Sequence, residues 1–428
     1  SSDVCSSDLR SSADTLFFDF QGRQSVSGAL TLQGASSQLL ALRSTLTGSA
    51  SNLLLDGDDG TQSLEYLDVQ DSDASGGKEL LCLLECVPSG NNTNWKFGQH
   101  KLTGKAYSDE GSTVLASKAV SVSVNGGAAA DTAITDSGGE YTLSGFTLTG
   151  STVLTVYLDG ESEDGVTVSI ASGSTMTGVD LYQDMLIIRS ETGAMTQPGG
   201  NGEGTITSTH LDTANNSGDA DIDAIYTMSS LNTTIVNGKK LYIWTGSLLN
   251  LEGTLDVGTS GTTSELHLEG SLTQNSNAIT ILGKYSQSGG TFTGGDAAIS
   301  VGIDNQNDGD FTLDGGTFIS TSGTLTWGGN NESAADITLA GGTFTHNSGT
   351  IVFSGRTNLF DVASSVTLNN VTINKRCSDH QDFGEGDTII ILGDLTLTCG
   401  TMQGNTTPEG SDVTLDVRGD VTQASGFS

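Results

Sequence analysis

The chain has 428 residues with 58 glycines, only 3 prolines and a formal charge of −35 from 51 acidic and 16 basic groups. So acidic a surface repels phosphate backbones and anionic lipid headgroups, which excludes nucleic-acid binding and disfavours membrane surfaces. No apolar run approaches the ~18 residues of a membrane span, and the Leu-x-Leu and Val-x-Val alternation predicts an all-β fold.

Residues 1–9, Ser1-Ser2-Asp3-Val4-Cys5-Ser6-Ser7-Asp8-Leu9, resemble translated sequencing-adapter read-through and are set apart from fold reasoning. The expectation is a metagenomic fragment whose natural start is lost and whose end, Val421-Thr422-Gln423-Ala424, stops in mid-rung.

Residues 10–98 carry strand-like pieces about ten residues apart, among them Ala29-Leu30-Thr31-Leu32, Leu39-Leu40-Ala41-Leu42 and Leu64-Glu65-Tyr66-Leu67. That spacing fits three short strands per coil of a parallel β-helix. Asp56-Gly57-Asp58-Asp59-Gly60 is a calcium candidate, because calcium takes closely spaced carboxylates, with a solvated turn as the competing reading. Cys82 and Cys86, four apart on one extended strand, would have Cα atoms about 13 Å apart, too far for a disulfide. The segment Tyr66-Leu67-Asp68-Val69-Gln70-Asp71-Ser72-Asp73-Ala74-Ser75-Gly76-Gly77, with the ending Asn91-Asn92-Thr93-Asn94-Trp95, resembles the final coils of β-helical regions in large bacterial surface proteins. The resemblance implies that Trp95 and Phe97 close a solenoid end.

Residues 99–183 predict a small β-sandwich. Val120-Ser121-Val122-Ser123-Val124 runs into the hairpin-type turn Asn125-Gly126, and Leu154-Thr155-Val156-Tyr157-Leu158 follows. Thr135-Asp136-Ser137-Gly138-Gly139-Glu140-Tyr141 resembles a step of the carboxypeptidase-regulatory-like, transthyretin-type module. The resemblance implies a spacer without catalytic residues.

Residues 184–428 predict a second, longer parallel β-helix, truncated at its end. Residues 191–223 read as loop or a loose first coil, with Asp219, Asp221 and Asp223 alternating along an apparent strand. Leu249-Asn250-Leu251-Glu252-Gly253 and Leu266-His267-Leu268-Glu269-Gly270 read as cognate pieces of successive coils. Gly289-Gly290-Thr291-Phe292 recurs as Gly315-Gly316-Thr317-Phe318 and Gly341-Gly342-Thr343-Phe344, each copy 26 residues after the last. A fixed period of this size marks a stacked solenoid of about nine coils. Phe292, Phe318 and Phe344 are then expected to form a ladder, with the Gly-Gly pairs at a tight corner. Asp304, Asp308 and Asp310 are the second calcium candidates, although Gly315 stands where an EF-hand loop would end in Glu. Trp244 and Trp327 could stack on sugars if exposed, core packing being the alternative. Residues 375–387 read as an insertion lengthening one coil and forming a surface loop. Cys377 and Cys399 lie about one repeat apart and could stack in adjacent rungs. Arg418-Gly419-Asp420 aligns with Leu392-Gly393-Asp394 as a strand-to-turn step.

No catalytic motif such as Gly-x-Ser-x-Gly, His-Glu-x-x-His or a P-loop occurs. The functional expectation is a non-catalytic fragment of a large secreted or cell-surface bacterial protein, an adhesin-like or structural stalk. Its partners would be carbohydrate or another cell-surface component, with no cofactor beyond possible calcium. A β-helical polysaccharide lyase or hydrolase and a fibre-like phage component are the competing readings.

Overall fold

The computed structural model describes residues 14–427 apart from 36, 57–59, 99, 193, 196–206, 216, 217, 230, 231, 260–263, 304–308, 329–335, 357 and 405–411. It is all-β, built on parallel β-solenoid coils with three strands to a turn.

Four coils open the fold. Their first face stacks Thr15–Phe18, Leu40–Ser44, Leu67–Val69 and Val87–Pro88 in parallel, and the other two faces repeat the pattern. Alternation explains it: in Ala29–Gln33, Leu30 and Leu32 are buried while Ala29, Thr31 and Gln33 are exposed. Trp95–Phe97 is the last rung; the two rings stack at 5.6 Å, and the Trp95 indole N–H donates to Ser72 Oγ at 3.0 Å. The expectation for Cys82 and Cys86 fails here. Their strand ends at Leu84, Glu85 turns the chain with φ 45°, and the Cα atoms close to 5.9 Å in a disulfide.

The middle segment is antiparallel. His100–Tyr107 pairs with Glu140–Phe146, and Ala119–Val124 pairs with both Ala129–Ile134 and Val153–Leu158. Asn125 and Gly126 both take positive φ, 50° and 68°, as a two-residue hairpin turn of twisted strands requires. Side chains from both groups of strands share one apolar cluster, including Leu102, Leu143, Val122 and Val156. The segment then joins the longer solenoid edge to edge. Val166–Ile170 pairs in parallel with Met185–Ser190, and that strand pairs with Lys240–Ile243.

Three ladders build the long solenoid. The first face runs from Met185–Ser190 through Lys240–Ile243, Glu265–Leu268, Lys284–Gln287, Phe311–Leu313, Ile337–Leu339, Asn358–Val362 and His380–Phe383 to the end of Leu395–Gly404, which makes nine rungs. Phe292, Phe318 and Phe344 pair in register, with ring centroids 4.5 Å and 5.6 Å apart and planes within 10°. The second glycine of each pair takes positive φ (Gly290 55°, Gly316 72°, Gly342 64°), and a Cβ there would strike the preceding rung's backbone. Leu249 and Leu266 are not cognate. Leu248–Asn250 lies on the second face and Glu265–Leu268 on the first, but coil length does vary here, from 25 residues between Lys240 and Glu265 to 19 between Glu265 and Lys284.

Two further expectations are corrected. Within residues 191–223, Ala194–Met195 pairs with Leu248 and Leu249 as part of a first coil, as expected, but helix Thr207–Asn215 and the short helix Ala220–Asp223 follow in place of loop, with Asp219 as an N-cap accepting from the Asp221 amide. Asp221 and Asp223 thus sit on a helical turn, not on a strand. Leu211, Ala214, Ile222 and Ile225 join the solenoid core, so this helical piece covers the first coil's apolar interior. Residues 375–387 are no loose insertion: His380–Phe383 is a ladder strand, and Lys375, Gln381, Phe383 and Asp387 are buried. Cys377 and Cys399 form a disulfide between adjacent rungs. Arg418-Gly419-Asp420 stacks on its counterpart, with the Gly419 amide on Gly393 O at 3.1 Å and the Asp420 amide on Asp394 Oδ1 at 2.9 Å.

Candidate functional site

The outer side of the first face carries an aromatic and acidic cluster. In Lys240–Ile243 the alternation sends Leu241 and Ile243 into the core and Tyr242 outward. Outward side chains of a solenoid normally meet water, yet Tyr242 is buried, because the middle segment lays Tyr182 against it. The Tyr182 and Tyr242 rings stack at 6.4 Å, Tyr107 meets Tyr182 edge-on at 5.7 Å, and Met185 and Ile187 fill in beneath. Toward solvent, Trp244 and His267 lean on Tyr242 at 5.5 Å and 4.9 Å, and both stay half-exposed.

Glu269 anchors the rim. Its Oε2 accepts from the Tyr242 hydroxyl at 2.7 Å and from Thr245 Oγ1 at 2.9 Å, and His267 Nε2 lies 3.8 Å from Oε1. Burial pushes the Glu269 carboxyl up, but the hydrogen bonds from Tyr242 and Thr245 outweigh it and hold the group below the usual glutamate range. Burial, then the Glu269 contact, pushes the Tyr242 phenol far up, and burial raises Tyr182 to about 12. Lys240 bridges Glu110 at 2.7 Å and Glu265 at 3.1 Å; burial lowers its pKa, and these two carboxylates more than reverse that. Tyrosines that stay protonated and a glutamate that stays ionised give fixed hydrogen bonding on an aromatic shelf. They do not give a proton-transfer pair poised near neutrality.

The sequence-selected residues fall elsewhere. Asp56 is exposed at a strand end, its amide donating to Val26 O at 2.8 Å. Asp310 is engaged in stacking, with Oδ2 3.2 Å from Lys284 Nζ and Oδ1 accepting the Asp336 amide at 3.2 Å. Asp58, Asp59, Asp304 and Asp308 lie outside the described residues. Among the described residues no group of three or more His, Cys, Asp or Glu is arranged to hold a metal ion. Trp327 is core, 1% exposed between Phe311 and Phe353, so of the two tryptophans only Trp244 presents a face to a ligand. Tyr107, Tyr182, Tyr242, His267 and Glu269 escaped the sequence reading. The one local signal was Tyr242 at an outward position two residues before Trp244.

Comparison of the chain with protein-family models, with curated proteins and with solved structures finds no match.

Proposed function

We propose that this chain is a non-catalytic segment of a larger secreted or cell-surface protein of bacterial type, an adhesin-like stalk that meets carbohydrate or another surface component. The observation that carries the reading is the half-exposed Trp244–His267 face, fixed on buried tyrosines and rimmed by Glu269 on a stiff parallel ladder. Aromatic faces beside fixed hydrogen-bonding groups suit the alternating C–H and O–H surfaces of a sugar. Two disulfides fit an oxidising compartment, which supports a place outside the cytoplasm. The antiparallel middle segment serves as the spacer between the two solenoids, in the manner of a carboxypeptidase-regulatory-like module.

A glycan array probed with residues 10–428, with and without chelator, tests the reading. The expected result is binding to at least one glycan that falls at least tenfold in Trp244→Ala. Loss of binding in chelator would assign the calcium candidates a role. Cleavage of a bound polysaccharide, read as new reducing ends, would replace the stalk with the enzyme reading.

A further inference from the structure

The second face of the long solenoid is broken in one place. Its first ladder ends at Thr343–Thr345, and a separate ladder of Ser365–Leu368, Thr388–Ile391 and Thr414–Val417 begins one coil later. The flanking faces run through without interruption, pairing Ile337 with Phe360 and Ile351 with Val371. The cause is coil length. Ile337 to Ile351 spans 14 positions, whereas their partners Phe360 and Val371 are 11 apart. The later coil is three residues short on this side, and it is also short before it, with 9 positions from Ile351 to Phe360 against 12 from Leu325 to Ile337, so its chain takes a tighter path and does not stack under Thr343–Thr345. What remains is a cleft of about 380 Å³ with Phe344, Leu339, Val362 and Val366 among its lining.

The chemistry of the walls follows from strand alternation. The Thr343 amide donates to Gly316 O at 2.9 Å and Thr345 O accepts from Ser320 at 2.8 Å, so both residues face the preceding rung. The N–H and C=O of Phe344 therefore point into the cleft. Across it, Ser364 O and Leu368 O accept from Thr388 and Leu392 of the following rung, which turns the backbone groups of Ser365 and Thr367 toward the cleft. Thr343, Ser364, Ser365 and Thr367 add hydroxyls, and among the described residues no charged side chain lines the site. Phe344 closes the Phe292–Phe318 stack, and unlike those rings it is only half-buried, because no rung covers its far face.

We propose that this cleft binds one ring of a neutral saccharide. The ring would lie on the open face of Phe344, with its hydroxyls on the backbone groups of Phe344, Ser365 and Thr367. The cleft volume of about 380 Å³ holds one sugar ring, and a peptide strand reaching the same backbone groups is the competing occupant that the titration below distinguishes. An anionic ligand is disfavoured by the charge of −35. The site is separate from the Trp244 shelf and stands or falls independently of it.

Methyl NMR of the full chain, following Val362 and Val366 during titration with neutral monosaccharides and disaccharides, tests the site. Saturable shifts with at least one sugar are expected, weakened at least tenfold in Thr367→Arg, whose side chain blocks the mouth, and unchanged within twofold in Trp244→Ala. Inserting Ala-Gly-Gly after Val362 restores the 14-position arc; it is expected to abolish the shifts while keeping the fold. No saturable shift with any sugar, shifts that persist in both altered proteins, or shifts only with the peptide Gly-Gly-Thr-Phe-Ile-Ser-Thr would overturn the assignment.

Discussion

Single side chains divide into those that the repeat dictates and those that the packing of distant segments dictates. Phe318 is of the first kind: Gly-Gly-Thr-Phe at a fixed period was enough to place its ring over Phe292 and under Phe344. Phe318→Ala is expected to cost about 3–5 kcal/mol, the range for emptying a buried aromatic site. Phe344→Ala should cost clearly less, because the cleft already exposes one face of that ring; chemical denaturation of the two variants checks the order. Lys375 is of the second kind. Alternation with Val371 and Ile373 puts it at an inward position, but only the packing shows a lysine kept there: it is 3% exposed, donates to Ser354 O at 3.0 Å, and burial brings its pKa down to about 7 against the attraction of Asp379 and Asp382. Between pH 7 and the ordinary lysine value near 10.5 the unfolded chain binds the proton and the folded chain does not. Stability linked to this group therefore rises with pH across that window, and the cost of charging it is fully present below pH 7. Lys375→Met should raise the unfolding midpoint relative to the parent at pH 6 and show a smaller advantage at pH 10.

Individual strands were legible because a coil needs only short alternating pieces and glycine corners. Three-residue strands such as Thr317–Ile319 carry their inward residue in the middle, and the period supplies the register. The helical cover was not legible. Helix Thr207–Asn215 has a weak apolar stripe, no acidic residue in its first turn and no basic one in its last. Its stability comes from laying Leu211 and Ala214 on the first coil, a tertiary effect that outranks propensity. Leu211→Asp is expected to detach it, seen as fast amide exchange over 207–215 while the rungs beyond Lys284 stay protected. The Cys82–Cys86 bridge is hidden in the sequence for a similar reason: strand spacing keeps the two cysteines apart, and only the turn at Glu85 brings them together. The Cys377–Cys399 bridge ties adjacent rungs across 22 positions, and its reduction should cost about 3 kcal/mol by loop closure. Calorimetry with and without reductant, on the parent and on Cys377→Ser, measures it; the variant should no longer respond at that transition.

At the scale of the whole molecule, stacking decides both strength and function. Successive rungs share one apolar interior from Ile188 to Leu397, and outward side chains of successive coils stand at a fixed pitch. The charge of −35 strains such a column, since like charges recur rung upon rung, as at Asp394 and Asp420. Raising salt from about 10 mM to about 150 mM shortens the screening length from about 30 Å to about 8 Å and should raise the melting temperature. The period itself was legible, but its drop to 23 residues between Ile337 and Phe360 and to 20 between Ile351 and Val371 was not, because no copy of Gly-Gly-Thr-Phe follows Phe344 and only pairing reveals the missing positions. The aromatic shelf was hidden for a different reason: Tyr107, Tyr182 and Tyr242 meet only once the middle segment folds back on the first face. Every part of the functional reading depends on rung register, and paired cysteines test it directly. Thr312 and Thr338 face outward in adjacent rungs, and Ser286 lies one rung further on. Thr312→Cys with Thr338→Cys should cross-link rapidly under mild oxidant in the folded protein, whereas Ser286→Cys with Thr338→Cys should not. Equal cross-linking of both pairs, or none of the first, would contradict the stacked register.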